Sequence, residues 1–271
     1  MFAKTAIKAG IRILDDELLF SISDSTVDEG IEARITVSLE ALPSEQQQEF
    51  QTLHCPDHPT WIPLVSRYLA NCFELGSGAS GIFLKASRIN HSCRPNAFFS
   101  WNLLLHRMTI HAIVDIPAGE EVTVSYVFPF FALAHRRDVF RKHYGFECDC
   151  PVCCLELASA QRSDQRRHRI ETINLAIQEC DDAPSNNDED ELEMVLEFIE
   201  LAKDDHLDGQ FLAHMYSRAR ECYEDRGSKE LALKYAEMEV ETNMRLLGED
   251  NEVTKESARD LEELKAVVAL M

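Results

Sequence analysis

The sequence predicts an α+β protein, with a β-rich N-terminal part and a helical C-terminal part. Runs of β-branched and aromatic residues typical of strands cover 98–101, 108–114 and 121–127. After Cys154 these runs stop, and apolar residues recur at helical spacing instead. The chain has 271 residues, which is enough for one large or two modest domains.

The N-terminal part begins with two short predicted strands in residues 1–20, and Gly10 provides the turn between them. Helices are predicted over 43–53 and over 61–75, which is more apolar. The segment 76–78 reads Gly-Ser-Gly and is predicted to be a flexible link.

Long helical patterns are predicted after Cys154, and beyond the acidic segment described below four helices are predicted near 191–203, 210–226, 229–246 and 252–269. Gly227 and Gly248 follow two of these helices, at the position that a C-terminal cap prefers. Residues 181–193 are rich in Asp and Glu and are predicted to form an acidic linker.

The net charge of −21 is unevenly distributed along the chain. Residues 1–155 contain 13 basic and 18 acidic residues, whereas 156–271 contain 14 basic and 30 acidic residues. Direct binding to nucleic acid is therefore not expected, because phosphate contacts need Lys and Arg. The acidic helices would attract basic protein segments, although a merely solvated helical surface has the same composition.

No apolar stretch in the sequence is long enough to span a bilayer, and the N-terminus lacks the apolar segment of a secretory signal. We therefore expect no membrane association. The nine cysteines are an odd number, and their clustering suits metal binding in a reducing compartment better than disulfides. The expected location is nuclear or cytoplasmic.

A cluster of three cysteines, Cys148, Cys150 and Cys153, has the spacing C-x-C-x2-C. Three thiolates at this spacing can surround one ion, but a structural zinc site takes four ligands. Cys93 is the natural candidate for the fourth ligand, and Cys154 is an alternative within the cluster. The cysteines would otherwise be small buried apolar residues.

A second group of metal-ligand residue types occurs at His54, Cys55 and His58. Two prolines interrupt this segment, and no second cluster accompanies it. We therefore interpret it as a plain loop.

Three motifs follow one another in the N-terminal part. N-H-S-C-x-P-N begins at Asn90, G-E-E-x-x-x-x-Y ends at Tyr126, and C-x-C-x2-C follows. This order resembles the SET-domain protein lysine methyltransferases, and residues 144–150 resemble the branch that includes the SET–MYND enzymes. The resemblance implies a SET β-fold with a pseudoknot, in which the chain threads through the loop at 90–96, and a post-SET zinc clip.

The same resemblance implies a SET domain at 1–134, a post-SET segment at 135–155 and a helical C-terminal domain at 156–271. Cys93 and the three clustered cysteines would bind one structural zinc. In the related branch the C-terminal helices form tetratricopeptide-like hairpins, and an ordinary helical bundle is the alternative here.

The activity implied is methylation of a lysine on a protein by S-adenosylmethionine, with a histone or another basic protein as substrate. Tyr126 matches the tyrosine at the methyl-transfer centre, and Tyr144 matches a tyrosine that lines the lysine channel. Packing at the end of a strand is the alternative role for Tyr126. The cofactor would be bound by residues that match family positions, namely Asn71, Ser87, Asn90, His91, Tyr126 and Phe146. The phenylalanines Phe128, Phe130 and Phe131 could add to the channel wall, although aromatic runs usually pack in a core.

Two features depart from the family pattern. The family's G-x-G motif would lie directly before Met1, so we expect that the natural product begins upstream and that this chain binds S-adenosylmethionine weakly. The MYND zinc module is also missing, since residues 21–60 contain only Cys55. A SET-fold interaction protein without activity is therefore the alternative function.

Overall fold

All the strands in the described part of the chain lie before Ser125, in three small sheets. The computed structural model describes residues 1–182 and 188–269. The strands are β1 Arg12–Glu17, β2 Phe20–Ile22, β3 Cys72–Gly76, β4 Ala79–Ile82, β5 Asn90–His91, β6 Ala97–Asn102, β7 Arg107–Ala112 and β8 Thr123–Val124.

Two of the sheets are antiparallel and have three strands each, in the orders β1-β7-β6 and β2-β4-β3. The third sheet pairs β5 with β8 in parallel, with Asn90 opposite Thr123 and His91 opposite Val124. The pairing places the motif that contains Asn90 beside the strand that leads to Tyr126. The expected pseudoknot requires these two segments to lie side by side.

The central strand β7 is buried on both faces. Met108, Ile110 and Ala112 belong to the apolar core of the β-rich part, whereas Thr109 and His111 alternate with them and are also fully buried. A helix of the C-terminal part covers the second face. The polar residues of this alternating pattern are therefore buried, whereas on a sheet with one exposed face they would lie in water.

The nine helices of the described residues comprise three among the first strands, one beside the cysteines and five in the C-terminal part. They are α1 Ile31–Glu40, α2 Ser44–Gln51, α3 Pro63–Asn71, α4 Leu133–Val139, α5 Leu157–Asp182, α6 Asp188–Asp204, α7 Gln210–Asp225, α8 Lys229–Leu247 and α9 Glu252–Ala269. From α5 onward each helix packs against the next, and the four helices predicted in this part are confirmed.

Several sequence predictions are wrong in detail. Helix α1 was not predicted, although its buried residues Ile31, Ile35 and Leu39 recur at every fourth position. The helix predicted over 61–75 ends at Asn71, where β3 begins. The expected flexible link at 76–78 is the tight turn between β3 and β4, so it joins two paired strands.

Two further corrections concern the ends of the predicted elements. The strand predicted over 121–127 is regular only at Thr123–Val124. The first of the two strands predicted in 1–20 consists of isolated bridges at Phe2 and Ile7. The acidic linker predicted at 181–193 is helical from Asp188 onward, and 183–187 lie outside the described residues.

The helical part packs directly on the β-rich part. Leu246 and Leu247 at the end of α8 form a small apolar cluster with Ile113, which follows β7. Arg12 of β1 forms an ion pair with Asp250, and the Arg245 guanidinium donates to the Ile113 carbonyl at 3.0 Å. Gly248 has a φ of +83° and lies so close to His111 that a Cβ atom would stand 2.7 Å from the ring.

The predicted α+β class is thus confirmed, with the β-rich part first and the helices after it. The boundaries 1–134, 135–155 and 156–271 stay predictions, as does the tetratricopeptide-like character of the helices. Within the described ranges, none of the helices has the length and apolar character needed to cross a membrane.

Candidate functional site

The four cysteines predicted as metal ligands meet at one point. Their sulfur atoms all lie within 4.8 Å of one another, although Cys93 precedes the cluster by more than 50 residues. Cys93 Sγ lies 3.5 Å from Cys153 Sγ. Sulfurs bound tetrahedrally to one zinc are roughly 3.8 Å apart, given a Zn–S bond of about 2.3 Å. The donor set therefore fits one zinc ion.

The local backbone prepares the cysteine cluster for a metal. The N–H groups of Cys153 and Cys154 both donate to the Cys150 carbonyl, which curls the chain around the cluster. Hydrogen bonds within the cluster lower the pKa of Cys150 and Cys153 and raise that of Cys93 and Cys148, because the four thiols share protons with one another. Cys154 points away, because its thiol donates to the Asp149 carbonyl and is exposed.

Two arginines of α4 flank this centre. Arg137 donates to the Cys153 carbonyl at 3.0 Å, and Arg136 is 1% exposed. Positive charge beside four thiolates offsets the excess negative charge that remains after zinc is bound. Sequence reasoning missed both arginines, because they lie on a helix outside the motifs.

A cavity of about 400 Å³ lies beside the cysteine cluster and is called the main cavity below. Its volume is in the range of about 300–1,000 Å³ that small-molecule sites occupy. The structure brings all the residues predicted for catalysis or cofactor binding to its wall, namely Asn71, Ser87, Asn90, His91, Tyr126, Tyr144 and Phe146. Their individual roles stay predictions.

Asn71 has its amide fixed by the end of α3. Its Nδ2 group donates to the His54 and Arg67 carbonyls, each at 2.7 Å, and the backbone carbonyl of Asn71 accepts from the Ser87 hydroxyl at 2.9 Å. In the described part of the chain Oδ1 forms no hydrogen bond. Asn71 therefore offers an acceptor to a ligand that carries an ammonium group.

Asn90 extends from β5 and donates to the Glu121 side chain at 2.7 Å. Nearby, Asn96 is almost fully buried and connects the same two segments: it donates to the Glu121 carbonyl and accepts from the Thr123 N–H, both at 2.8 Å. These bonds fix β5 beside β8. Asn96 ends the N-H-S-C-x-P-N motif, so the sequence contained a signal for it.

Tyr126 and Tyr144 face each other with ring centroids 5.0 Å apart. The Tyr126 hydroxyl donates to the Ile89 carbonyl at 2.5 Å, and the Tyr144 hydroxyl donates to the Tyr126 carbonyl at 3.3 Å. Burial raises the pKa of Tyr144 to about 12 and that of Tyr126 further above its usual range. Both hydroxyls therefore stay protonated at neutral pH, and each keeps lone pairs for a polar ligand.

His91 lies between the tyrosines and the cysteines. Its Nδ1 accepts the Tyr126 backbone N–H at 3.0 Å, and its Nε2 lies 3.2 Å from Cys93 Sγ. Burial lowers the pKa of His91 to about 4, so the ring is neutral at physiological pH. The side-chain nitrogens are engaged by the protein itself. A bound ligand would therefore meet the face of the ring or the backbone of His91.

The aromatic wall is shaped by an irregular helical turn, Phe140–Tyr144, which ends at Gly145. Gly145 has a φ of +72°, and this left-handed residue turns the chain so that Tyr144 and Phe146 both reach the main cavity. The Phe146 ring stacks on Phe140 at 5.1 Å, which supports it from behind.

The main cavity is also lined by residues that sequence reasoning did not select, among them the carboxylates Glu121 and Asp149. No Lys or Arg occurs among the described residues of its wall. A carboxylate lining disfavours phosphate-bearing ligands and favours cationic ones. Glu121 lies inside the G-E-E motif and could have been chosen on that ground, whereas Asp149 carries no signal beyond the cysteines around it.

A smaller cavity of about 220 Å³, the side cavity, shares Asn71, Ser87, Tyr126 and Tyr144 with the main cavity. An outer cavity of about 320 Å³ follows it between the β-rich part and the loop before α7, and the two share Glu74, Phe99, Ser125 and Tyr126. The three cavities thus adjoin one another around Tyr126, which lines each of them.

The three phenylalanines after Tyr126 do not line the main or the side cavity. Phe128 is 47% exposed and borders the outer cavity. Phe130 is fully buried in the core of the C-terminal helices, with its ring 5.0 Å from that of Phe211. The core-packing alternative is therefore right for Phe130.

A larger, more open cleft of about 910 Å³ lies between Gly10 and α8. It contains none of the predicted site residues. The motif residues converge on the main cavity instead, and we take that cavity as the candidate site.

Comparison with known proteins agrees with this geometry. Residues 1–127 match the family described as the SET domain. The chain is 31% identical over 171 residues to the histone-lysine N-methyltransferase set5 of Schizosaccharomyces pombe. The aligned region covers 63% of this chain and 52% of that protein. It is 30% identical over 124 residues to the N-lysine methyltransferase SMYD2-B of Danio rerio, covering 42% of this chain and 28% of that protein.

Residues 1–127 are therefore similar to the SET domain, and the relatives that the chain matches are lysine methyltransferases named SET5 and SMYD2. The branch expected from residues 144–150 agrees with these relatives. The chain spans about half the length, or less, of the curated relatives that it matches.

Proposed function

We propose that this protein is an S-adenosylmethionine-dependent methyltransferase that acts on lysine side chains of a protein substrate. The observation that carries the proposal is the convergence on the main cavity of seven residues that match family positions and come from five separate segments. The names of the relatives support the reaction class.

The main cavity suits this cofactor chemically. S-adenosylmethionine is a sulfonium with a methyl group to transfer; the lysine nitrogen gains that methyl as the S–C bond breaks, and the excess proton passes to water. Glu121 and Asp149 favour a cationic ligand, and the free Oδ1 of Asn71 suits its ammonium group. The faces of His91 and Phe146 suit a planar base.

The side cavity suits the lysine. Its wall contains Tyr126, Tyr144, Phe73 and Phe99, so a lysine there loses most of its water. Desolvation lowers the pKa of a lysine and favours the neutral amine, which is the nucleophile. The Tyr126 and Tyr144 oxygens can accept from the amine and orient its lone pair. Positioning of this kind contributes several kcal/mol, up to about 7–11 in model reactions.

The outer cavity supports a basic protein as the substrate. Its described lining contains neither Lys nor Arg and includes two carboxylates, Glu74 and Asp208, of which Asp208 is paired with Arg245. Carboxylates at the mouth of a lysine channel attract a lysine-rich segment. A histone or a similar basic protein is the proposed partner, and a nuclear or cytoplasmic location is proposed with it.

We also propose that one structural zinc ion, bound by the four converging cysteines, keeps residues 144–150 against the main cavity. The ion would take no part in methyl transfer, since four thiolates leave no open position for a reactant.

Calorimetry with S-adenosylmethionine tests the proposal, together with transfer of labelled methyl groups to a lysine-rich protein. We expect binding to be saturable, and Asn71→Ala to weaken it by about 10-fold or more through loss of the ammonium acceptor. Asn174→Ala, on α5 and away from the cavity, is the matched control and should leave the affinity unchanged. A folded, zinc-loaded protein that neither binds the cofactor nor transfers methyl groups would instead be a SET-fold interaction protein.

A further inference from the structure

Both ring nitrogens of His91 are engaged by protein groups, and these groups belong to different sites. Nδ1 accepts the Tyr126 N–H at 3.0 Å and therefore carries no proton itself, which places the ring N–H on Nε2. Nε2 lies 3.2 Å from Cys93 Sγ. The ring therefore donates one hydrogen bond to a sulfur of the cysteine cluster and accepts one from the backbone at the main cavity.

The backbone makes this double contact possible. His91 lies opposite Val124 in the parallel pair β5–β8, with Cys93 two residues beyond His91 and Tyr126 two residues beyond Val124. The ring thus spans the space between the cysteine cluster and the strand that carries the tyrosine. On its remaining side it packs on Phe140, at a centroid distance of 4.4 Å.

We propose that His91 is a positioning residue that couples metal binding at the four cysteines to the placement of Tyr126. The proposal rests on the function proposed above for the two sites. A metal-bound thiolate is a charged acceptor and therefore holds the Nε2–H more firmly than a thiol does. The ring so held fixes the Tyr126 amide, and the Tyr126 carbonyl in turn accepts from the Tyr144 hydroxyl.

One consequence is a coupling that acts in both directions. Loss of the metal would release His91 and loosen both tyrosines, although neither tyrosine touches the metal. Conversely, whatever stabilises the arrangement of Tyr126 must raise the affinity for the metal by the same factor. The competing explanation is that His91 only fills space beside Phe140.

Two substitutions separate the two hydrogen bonds. The amide oxygen of Asn occupies the position of Nδ1, so His91→Asn keeps an acceptor for the Tyr126 N–H but cannot reach Cys93. The amide nitrogen of Gln occupies the position of Nε2, so His91→Gln keeps the donor to Cys93 and loses the acceptor. Zinc affinity is measured by competition with a chromogenic chelator, and protection of the Tyr126 amide by hydrogen exchange.

In His91→Asn we expect zinc affinity to fall about 10- to 100-fold, the usual effect of removing a hydrogen bond to a metal ligand. With zinc saturating, its Tyr126 amide should stay protected from exchange, as in the wild type. In His91→Gln we expect zinc affinity within about 3-fold of wild type, but rapid exchange of the Tyr126 amide and at least 10-fold slower turnover.

In the wild-type protein, removal of zinc should accelerate exchange of the Tyr126 amide before global unfolding. Equal losses of zinc affinity and amide protection in both variants would overturn the proposal in favour of packing. So would unchanged zinc affinity in His91→Asn. The zinc and exchange measurements need no methyl transfer, so a failure of the proposed activity would not conceal a failure of this coupling.

Discussion

Asn96 shows how a single amide can hold two motifs together. It donates to the Glu121 carbonyl and accepts from the Thr123 N–H, so it binds the backbone that leads to Tyr126. An aliphatic side chain in its place would leave buried backbone groups without partners, at a cost of about 1–3 kcal/mol each. At the residue scale, the candidate site is thus held by a few polar side chains that each serve two partners.

Cys93→Ser tests the metal centre. A hydroxyl is a poor zinc ligand, so the protein should lose most of its metal, from about one zinc per chain, and several kcal/mol of stability. Elemental analysis and thermal unfolding measure the two effects. Cys154→Ser is the matched control, because that thiol is exposed and bonded to the Asp149 carbonyl, and it should keep its metal. Retention of zinc in Cys93→Ser, or its loss in Cys154→Ser, would show that the ligand set is wrong.

Tyr126→Phe tests whether the hydroxyl acts in methyl transfer. We expect a loss of about 1 kcal/mol of stability from the bond to Ile89, and turnover lower by about 100-fold at unchanged cofactor affinity. Tyr68→Phe is the matched control, since its hydroxyl also donates to a backbone carbonyl, that of Ser80, away from the main cavity. Turnover per folded molecule should then be normal in Tyr68→Phe. Equal turnover in the two variants would point to packing as the role of Tyr126.

At the scale of elements, the helices of the C-terminal part could be predicted because each buries one regular stripe against its neighbours. Helix α8 shows what periodicity does not reveal. Its pattern is that of a helix packed on helices, yet its last turn, Leu246–Leu247, packs on Ile113 beside the sheet. The strand β4 was missed for a related reason: Ala-Ser-Gly-Ile has little β propensity, and pairing with β2 and β3 makes it a strand.

The candidate site was predictable to the extent that its residues lie in motifs. His54 and Asp149 reach the main cavity through the turns of loops. His54 lies in the segment interpreted above as a plain loop, and Asp149 is marked only by the cysteines around it. The two hydrogen bonds of the His91 ring depend on how β5 and β8 are paired, and this pairing is a property of the tertiary structure. The sequence therefore identified most of the residues in the wall of the main cavity, but it did not reveal the hydrogen-bond partners of their side chains.

Packing between α7 and α8 makes a pH-dependent contribution to stability. Burial raises the pKa of Glu239 from 4.5 to about 7, although Arg220 lies 3.7 Å away. The pKa of Glu239 is higher in the folded than in the unfolded state, so the protonated carboxyl favours the folded state. This contribution to the free energy of unfolding is complete below about pH 4.5 and is lost as the pH rises through about 7.

Glu239→Gln should therefore stabilise the protein at pH 8 by about 1–2 kcal/mol, less than the full shift implies because the site is partly solvated, and should have little effect at pH 4.5. Chemical denaturation at the two pH values measures this difference. Glu237→Gln is the control, on an exposed position of the same helix, and should change stability at neither pH. Equal effects of Glu239→Gln at both values would contradict the prediction.

At the scale of the whole molecule, the acidic charge lies mainly on the helical part, which packs beside the outer cavity. We expect association with a lysine-rich peptide to weaken steeply as salt is added. Neutralising three exposed acids of α9, with Glu256→Gln, Asp260→Asn and Glu263→Gln together, should reduce affinity at low salt by about 3-fold and flatten the salt dependence.

The control for that experiment neutralises exposed acids of the β-rich part instead, with Glu29→Gln and Glu32→Gln. Fluorescence anisotropy of a labelled peptide at several salt concentrations gives both quantities. If both sets of substitutions weaken binding equally, the helices attract the peptide only through the overall charge of the protein.

The meeting of Cys93 with the cysteine cluster closes a loop across 60 residues of chain. A metal bridge across such a loop restricts the unfolded chain much as a disulfide does, which amounts to about 4 kcal/mol of chain entropy at this length. Unlike a disulfide, it withstands reducing agents and yields to chelators. Resistance of this protein to unfolding should therefore depend on the free zinc concentration around it, and its lifetime should shorten when zinc becomes scarce.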